Sequence, residues 1–299
     1  MLLIFFLDGF FFRYINSPIL SLKISKVLAP QVTDQIEVVY CSTFNKYKEI
    51  AISILSIMKR TQSKVHFTIF FPIILTNQTT IFEKIQQKYT HCSITFRFLA
   101  LSVVDTMFPY KWVNYWHQYM FVRVLMIDIL TDIDKILYLD TDVIGCGDIK
   151  AIYDVPLLEE DCLIAGAPDA LPHTKWMSDE YMAVMGLNEH TYLNSGVLLM
   201  NLKGLREMEF VKKGVEWWKS NEDTRFPDQD MINYLVGPKR RIVLDRKFNK
   251  AWHGNFCDCV LRHYNHLKVT DPQVYRGFAD YHYYFESLDE YKCLMNSNC

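Results

Sequence analysis

The 299-residue sequence has no long run of like charge, no low-complexity tract and no visible internal repeat. Those absences exclude charged disordered tails, compositionally biased linkers and solenoid arrays. A net basic balance is missing too. The chain carries 32 Lys and Arg against 34 Asp and Glu, a formal charge of −2, so nucleic acid is not an expected partner. Zinc-knuckle spacing is absent among the eight cysteines, since a single residue separates Cys257 from Cys259. No structural zinc is expected. The apolar stretch Met1 to Phe12 lacks the basic n-region and small-residue cleavage site of a signal peptide. It is also shorter than the ~20 apolar residues of a membrane span. A signal-anchor remnant and a plain buried strand both suit it, and residues 1–30 are set apart as a hydrophobic N-terminal segment.

What the chain does have is core. Half of its residues are hydrophobic, enough for one sizeable α/β domain or two small ones. Cys41, Cys146 and Cys162 sit in or beside apolar runs and read as buried thiols. The late group Cys257, Cys259, Cys293 and Cys299 can form disulfides, which suits an oxidising compartment. Asn77-Gln-Thr79 is a glycosylation sequon. These features lean towards the secretory pathway.

The patterning predicts a strand over Ile36 to Cys41, a helix over Tyr47 to Arg60, and a strand over Val65 to Phe71. A helix around Ile81 to Tyr89 and a strand from Cys92 to Leu101 follow. Strand and helix in alternation indicate a doubly wound α/β sheet, whose ligands bind beyond the carboxyl ends of the strands. Ser42, Thr43 and Tyr47 therefore belong to the ligand edge, or are ordinary turn residues.

The apolar run Ile136 to Leu139 reads as a central buried strand, and Asp140 and Asp142 fall where it ends. Acidic residues form strands poorly, and alternate residues of an extended chain face the same side. Both carboxylates can thus face one hard divalent cation such as Mn²⁺ or Mg²⁺. A polar turn is the plainer alternative, which other residues must decide. Upstream, an aromatic-rich helix over Tyr115 to Leu130 sets Arg123 among Phe121, Val122, Val124 and Leu125. A guanidinium in such surroundings needs an anion: Asp128 or Asp132 as a salt bridge, or a phosphate or site carboxylate.

Downstream, Asn194, Ser195 and Gly196 precede an apolar run. Their side chains can bind sugar hydroxyls, and the glycine allows close approach. A helix is predicted from about Leu205 to Ser220. Another starts at Pro227 or Asp228, where Asp228, Gln229 and Asp230 gather three oxygen-bearing side chains in one turn. Arg241 to Leu244 reads as a strand and Phe248 to His253 as an ordered loop. His263 or His266 can complete an Asp/Asp/His metal set.

In this order the motifs resemble the family 8 glycosyltransferases. The resemblance is carried by Val38-Val-Tyr-Cys-Ser42, Arg123, Leu137-Tyr-Leu-Asp-Thr-Asp142, Leu193-Asn-Ser-Gly-Val-Leu-Leu-Met-Asn201 and Asp228-Gln-Asp-Met-Ile-Asn233, across Ile36 to Lys268. It implies a retaining enzyme using a nucleotide-sugar donor, with a GT-A fold: a Rossmann-like mixed sheet flanked by helices, here one domain over residues 31–299. By position it implies Asp140, Asp142 and His263 as ligands of Mn²⁺ or Mg²⁺. It places Tyr40, Cys41, Ser42, Tyr47, Arg123, Asp140, Thr141, Asp142, Asn194, Ser195 and Lys268 around the donor. Gln229 would lie beneath the anomeric carbon, with Asp228 and Asp230 beside it. In the family, a glycine and a lysine follow the late histidine. Here no glycine closely follows His263, and Lys268 is one residue nearer than usual.

Within the family the motifs are most similar to those of the animal glucoside xylosyltransferases, type II membrane proteins of the endoplasmic reticulum or Golgi. The implied partners are a UDP-sugar and a glycan or glycoprotein acceptor, with a membrane anchor at the N-terminus. A nucleotide-sugar-binding domain without turnover and a structural secreted domain are the competing readings.

Overall fold

A computed structural model describes residues 35–73, 76–109, 118–158, 160–170, 178–222, 224–251, 258–265 and 281–296. The segment 1–30, Cys257, His266, Lys268 and Cys299 lie outside these residues.

The first half alternates strand and helix. Strand β1 (Gln35–Cys41) leads to helix α1 (Tyr47–Met58), whose Ile50, Ile54 and Ile57 are completely buried. β2 (Lys64–Phe71), α2 (Thr76–Lys88), β3 (Cys92–Phe98) and the short α3 (Leu101–Met107) follow. A 3₁₀ turn at Gln118–Phe121 opens α4 (Val122–Ile129), which feeds the central strand β4 (Lys135–Leu139). The helix predicted over Tyr115 to Leu130 is therefore shorter within the described residues.

The second half continues with β5 (Val143–Gly145), α5 (Lys150–Tyr153), β6 (Ile164–Pro168), α6 (Asp179–Ala183) and β7 (Leu193–Asn201). The single helix predicted from Leu205 to Ser220 is two helices, α7 (Leu202–Glu207) and α8 (Phe210–Trp218). They are broken at Glu209, whose φ of +57° is incompatible with a continuing right-handed helix. α9 (Pro227–Val236) has its proline in the first turn, where the missing N–H costs nothing. β8 (Arg241–Val243), β9 (Lys250–Ala251), β10 (Leu261–His263) and α10 (Tyr281–Asn296) complete the described chain.

Seven strands form the main sheet in the order β3-β2-β1-β4-β7-β6-β8. The pairs among β3, β2, β1 and β4 are parallel, while β7 runs antiparallel to both β4 and β6. This is the mixed, Rossmann-like sheet expected. Alternation along the strands divides the core between two faces. Val38, Tyr40, Leu137 and Leu139 pack with α1 and α10 on one face. Val39, Cys41, Ile136 and Tyr138 pack with α4, α8 and α9 on the other. α10 is also held by ion pairs, Lys59 to Glu290 at 2.9 Å and Arg60 to Glu286 at 2.6 Å. A small second sheet, β5-β10-β9, sits at the edge where β4 ends. No described helix is long and apolar enough to cross a membrane.

Candidate active site

The reversed direction of β7 builds the site. β1 and β4 point their carboxyl ends to one edge, and β7 brings its amino end to the same edge. There the Asp140 N–H donates to the Gly196 carbonyl at 2.8 Å. β10 pairs antiparallel with β5, setting His263 opposite Val143, and the Tyr264 N–H donates to the Asp142 carbonyl at 3.1 Å. Two sheets therefore deliver Asp140, Asp142 and His263 to one point.

One ligand atom from each of these three residues lies within 4.8 Å of the others. His263 Nε2 is 3.2 Å from Asp142 and 3.8 Å from Asp140. Donors about 2.1 Å from one Mg²⁺-sized ion stand at most roughly 4.2 Å apart, so a small side-chain adjustment closes the set. Two carboxylate oxygens and one imidazole suit Mn²⁺ or Mg²⁺, and the residues fit such an ion. The imidazole has little freedom. A Cβ on Gly196 would sit 2.1 Å from His263 Cε1, so only glycine admits the ring there. Gly196→Ala is expected to displace His263 and weaken Mn²⁺ binding by more than the roughly 10–100-fold typical of outer-shell changes. Calorimetric Mn²⁺ titration checks this; affinity equal to the parent protein's would contradict it.

Burial opposes a charge on His263, but the Asp142 and Asp140 carboxylates outweigh it and raise its pKa above the ordinary histidine value. A proton on Nε2 and a cation cannot share that nitrogen, so metal binding releases a proton and strengthens as pH rises through the raised value.

A cavity of about 400 Å³ opens beside this cluster. Cys41, Ser42, Arg123, Asp140, Thr141, Asp142, Asn194, Ser195, Asp228, Gln229 and His263 all line it. Thr43, Lys46, Glu49, Tyr119, Met120, Gly196, Phe226 and Asn265 line it as well. The Cys41 thiol donates to the Met126 sulfur at 3.8 Å, and burial pushes its pKa well up, so it stays a neutral wall.

Arg123 is the electrostatic centre of the wall. Its Nη2 donates to Asp140 at 2.8 Å, its Nε lies 2.8 Å from Asp228, and its Nη1 donates to the carbonyl and hydroxyl of Ser195, each at 2.9 Å. The guanidinium stacks 4.5 Å over the Tyr138 ring, whose hydroxyl donates to Asp140 at 2.8 Å. Its partners are thus site carboxylates, not Asp128 or Asp132. Burial disfavours the Arg123 charge, but Asp140 and Asp228 hold it more firmly protonated than usual. Burial pushes the Asp228 carboxyl up to about 6, with Arg123 pulling the other way.

Gln229 is clamped at both ends. Its Oε1 accepts from the Ser195 N–H at 2.8 Å, and its Nε2 donates to Asp169 at 3.0 Å and to the Tyr192 hydroxyl at 3.3 Å.

Three expected site residues are placed otherwise. Tyr40 faces the opposite side of the sheet from Cys41, as strand alternation requires, and its hydroxyl pairs with Ser53 at 2.7 Å. Tyr47 packs on the core and hydrogen-bonds Tyr291 of α10, while Lys46 and Glu49 take the cavity side. Asp230 is 1% exposed and turned inward, bound by Tyr181, Tyr192, Thr224 and the Phe226 N–H. It anchors the start of α9 and does not line the cavity. Lys268 lies outside the described residues. Two residues had no individual signal in the sequence: Asp169, one residue past β6, and Asn249, between a 3₁₀ turn and β9.

The Glycosyl transferase family 8 model matches residues 37–274. A putative glycosyltransferase of Haemophilus influenzae is 26% identical over 66% of this chain and 58% of its own length. The lipopolysaccharide 1,3-galactosyltransferase of Salmonella typhimurium is 29% identical over 47% of this chain and 42% of its own. Glucoside xylosyltransferase 1 of Danio rerio is 32% identical over 38% of this chain and 31% of its own. The chain thus spans less than two thirds of these relatives. Among solved structures, the galactosyltransferase LgtC with donor and acceptor sugar analogues superposes with a TM-score of 0.68 at 17% identity, over 88% of this chain and 96% of that one. Mouse xyloside xylosyltransferase 1 does so with a TM-score of 0.58 at 15% identity, over 77% of this chain and 98% of that one. The GT-A fold and the length of the family match agree, and the chain belongs to glycosyl transferase family 8.

Proposed function

We propose that this protein is a retaining glycosyltransferase that moves a sugar from a UDP-sugar to a glycan or glycoprotein acceptor, with Mn²⁺ as its cofactor. One observation carries the reading: the Asp140, Asp142 and His263 cluster opens into the same cavity as Arg123, Asn194 and Gln229. A cation site beside hydroxyl-binding amides suits a molecule that is diphosphate at one end and sugar at the other.

Two unit charges 4 Å apart interact by roughly 4 kcal/mol at an effective dielectric of 20, so bare Asp140 and Asp142 would repel a diphosphate. When bound to Asp140, Asp142 and His263, a divalent ion reverses that sign and acts as a Lewis acid toward the departing UDP. Arg123 holds Asp140 and Asp228 in place. Asn194 and Gln229 present amides to the sugar while fixed by their own hydrogen bonds.

As the bond to phosphate breaks, positive charge grows at the anomeric carbon. Beside Gln229, Asp228 is paired with Arg123, and Asp230 is bound by two tyrosines away from the cavity. Neither is placed as a ready covalent nucleophile, which favours same-face attack with the leaving phosphate oxygen accepting the acceptor's proton. Paired-carboxylate hydrolase chemistry is less suited to a cluster that includes an imidazole.

The donor proposed first is UDP-xylose, as in glucoside α-1,3-xylosyl transfer, with UDP-glucose and UDP-galactose as the alternatives. The disulfide at Cys293 supports the lumen of the endoplasmic reticulum or Golgi as the location. A panel of UDP-sugars, with hydrolysis followed by mass spectrometry, tests the reading. Preferential release of UDP from one sugar is expected. Tight UDP binding with no hydrolysis or transfer from any donor would replace it with a binding protein.

A further inference from the structure

A chain of amides beside His263 determines which ring nitrogen carries a hydrogen away from the aspartates. It starts at a backbone group whose chemistry is fixed. The Gly196 N–H donates to the Asn194 side chain at 3.0 Å, so the Asn194 atom facing it is the carbonyl oxygen. The amino end of Asn194 then points at the Asp169 carboxylate, 2.9 Å away, as it must. The same Asn194 oxygen lies 2.9 Å from the Asn249 side chain. Only the Asn249 amino group can face an oxygen, so its carbonyl faces the other way. There it meets His263 Nδ1 at 3.1 Å. Since a carbonyl only accepts, Nδ1 carries a hydrogen; Nε2 faces carboxylates that also only accept, so it offers a lone pair there once a cation takes the place of its proton. Nε2 is the nitrogen turned to Asp142 and Asp140, at 3.2 and 3.8 Å.

We infer that Asn249 is a positioning residue of the cation site: it imposes the Nδ1–H tautomer on His263 and ties that ring to Asn194 on the sugar side. The inference rests on the cation-site reading above. Asn249 is 7% exposed and acts through its two neighbours. With one side chain it satisfies both, as a donor to Asn194 and an acceptor from His263. Replacing it therefore frees the ring to rotate or change tautomer, and removes one of the two donors to Asn194 Oδ1.

The test combines Mn²⁺ titration, followed by the electron paramagnetic resonance signal of free Mn²⁺, with long-range ¹H–¹⁵N spectra of the protein saturated with diamagnetic Mg²⁺. His263→Gln assigns the resonances. The parent protein should show His263 with its hydrogen on Nδ1. Asn249→Ala should weaken Mn²⁺ binding by about 10–100-fold and mix the tautomers. Asn249→Asp keeps the acceptor for Nδ1 but loses the donor to Asn194, so it should preserve the Nδ1–H tautomer that Asn249→Ala loses. An Nε2–H tautomer in the parent protein overturns the inference whether or not any variant folds. So does an Asn249→Ala protein with unchanged affinity and tautomer. A parent protein that binds neither Mn²⁺ nor Mg²⁺ defeats the cation-site reading instead, and whether the Nδ1 hydrogen bond is lost in Asn249→Ala still judges Asn249.

Discussion

Asp142→Asn is expected to lower Mn²⁺-dependent release of UDP by about a thousandfold or more. The substitution keeps the shape and removes one of two carboxylates that offer the cation a full charge. Lewis-acid stabilisation is worth several kcal/mol, and each ~1.4 kcal/mol is a factor of ten in rate. Folding should survive. Asp142 contributes its backbone carbonyl to the Tyr264 N–H, which the substitution leaves intact, and its side chain is 21% exposed. The raised pKa of His263 should fall, because the partner that favours its charge is lost. Rate and thermal midpoint together check this: activity should collapse while the midpoint moves little. Turnover within a few-fold of the parent protein would remove Asp142 from the cation site.

Arg123→Ala should have its largest effect on stability. Arg123 is 7% exposed and neutralises Asp140 and Asp228 from inside the wall. Removing one partner of a buried pair leaves the other charge uncompensated, at a cost of about 3–5 kcal/mol. The loss should depend on pH with a definite sign. The folded-state pKa of Asp228 is about 6, already above its ordinary value, and removing the cation raises it further. The ionised form is therefore penalised above that pKa and relieved below it. The stability gap between the parent protein and Arg123→Ala should be wider near pH 8 than near pH 5. Adding Asp228→Asn should recover part of the loss, since the two residues are coupled. Urea denaturation at the two pH values checks both statements. A gap that widens on acidification would contradict the assignment of Asp228 as the stranded charge.

The sheet and the cation cluster were legible because each rests on a short-range pattern. An apolar strand running into Asp140-Thr-Asp142 announces both the strand and its end. His263 stands beside His266 as a candidate until the resemblance chooses between them, because an antiparallel pairing between β10 and β5, not a short-range pattern, brings it to the aspartates. Tyr40 and Tyr47 misled for a common reason. Both stand next to true wall residues, but one residue along a strand reverses the face and one along a helix turns it by about 100°. Asp230 misled in the same way: its neighbours Asp228 and Gln229 look into the cavity, while it looks into a cage of tyrosines. Asp169 and Asn249 were hidden because their roles exist only through partners far away in sequence.

A divalent cation on Asp140, Asp142 and His263 is proposed to drive departure of UDP from a nucleotide sugar. The direct measurement is UDP release from a UDP-sugar by the purified protein with Mn²⁺, after EDTA, and after Mn²⁺ is restored. Release should stop on chelation and return with the metal; release that continues unchanged in EDTA would contradict the claim.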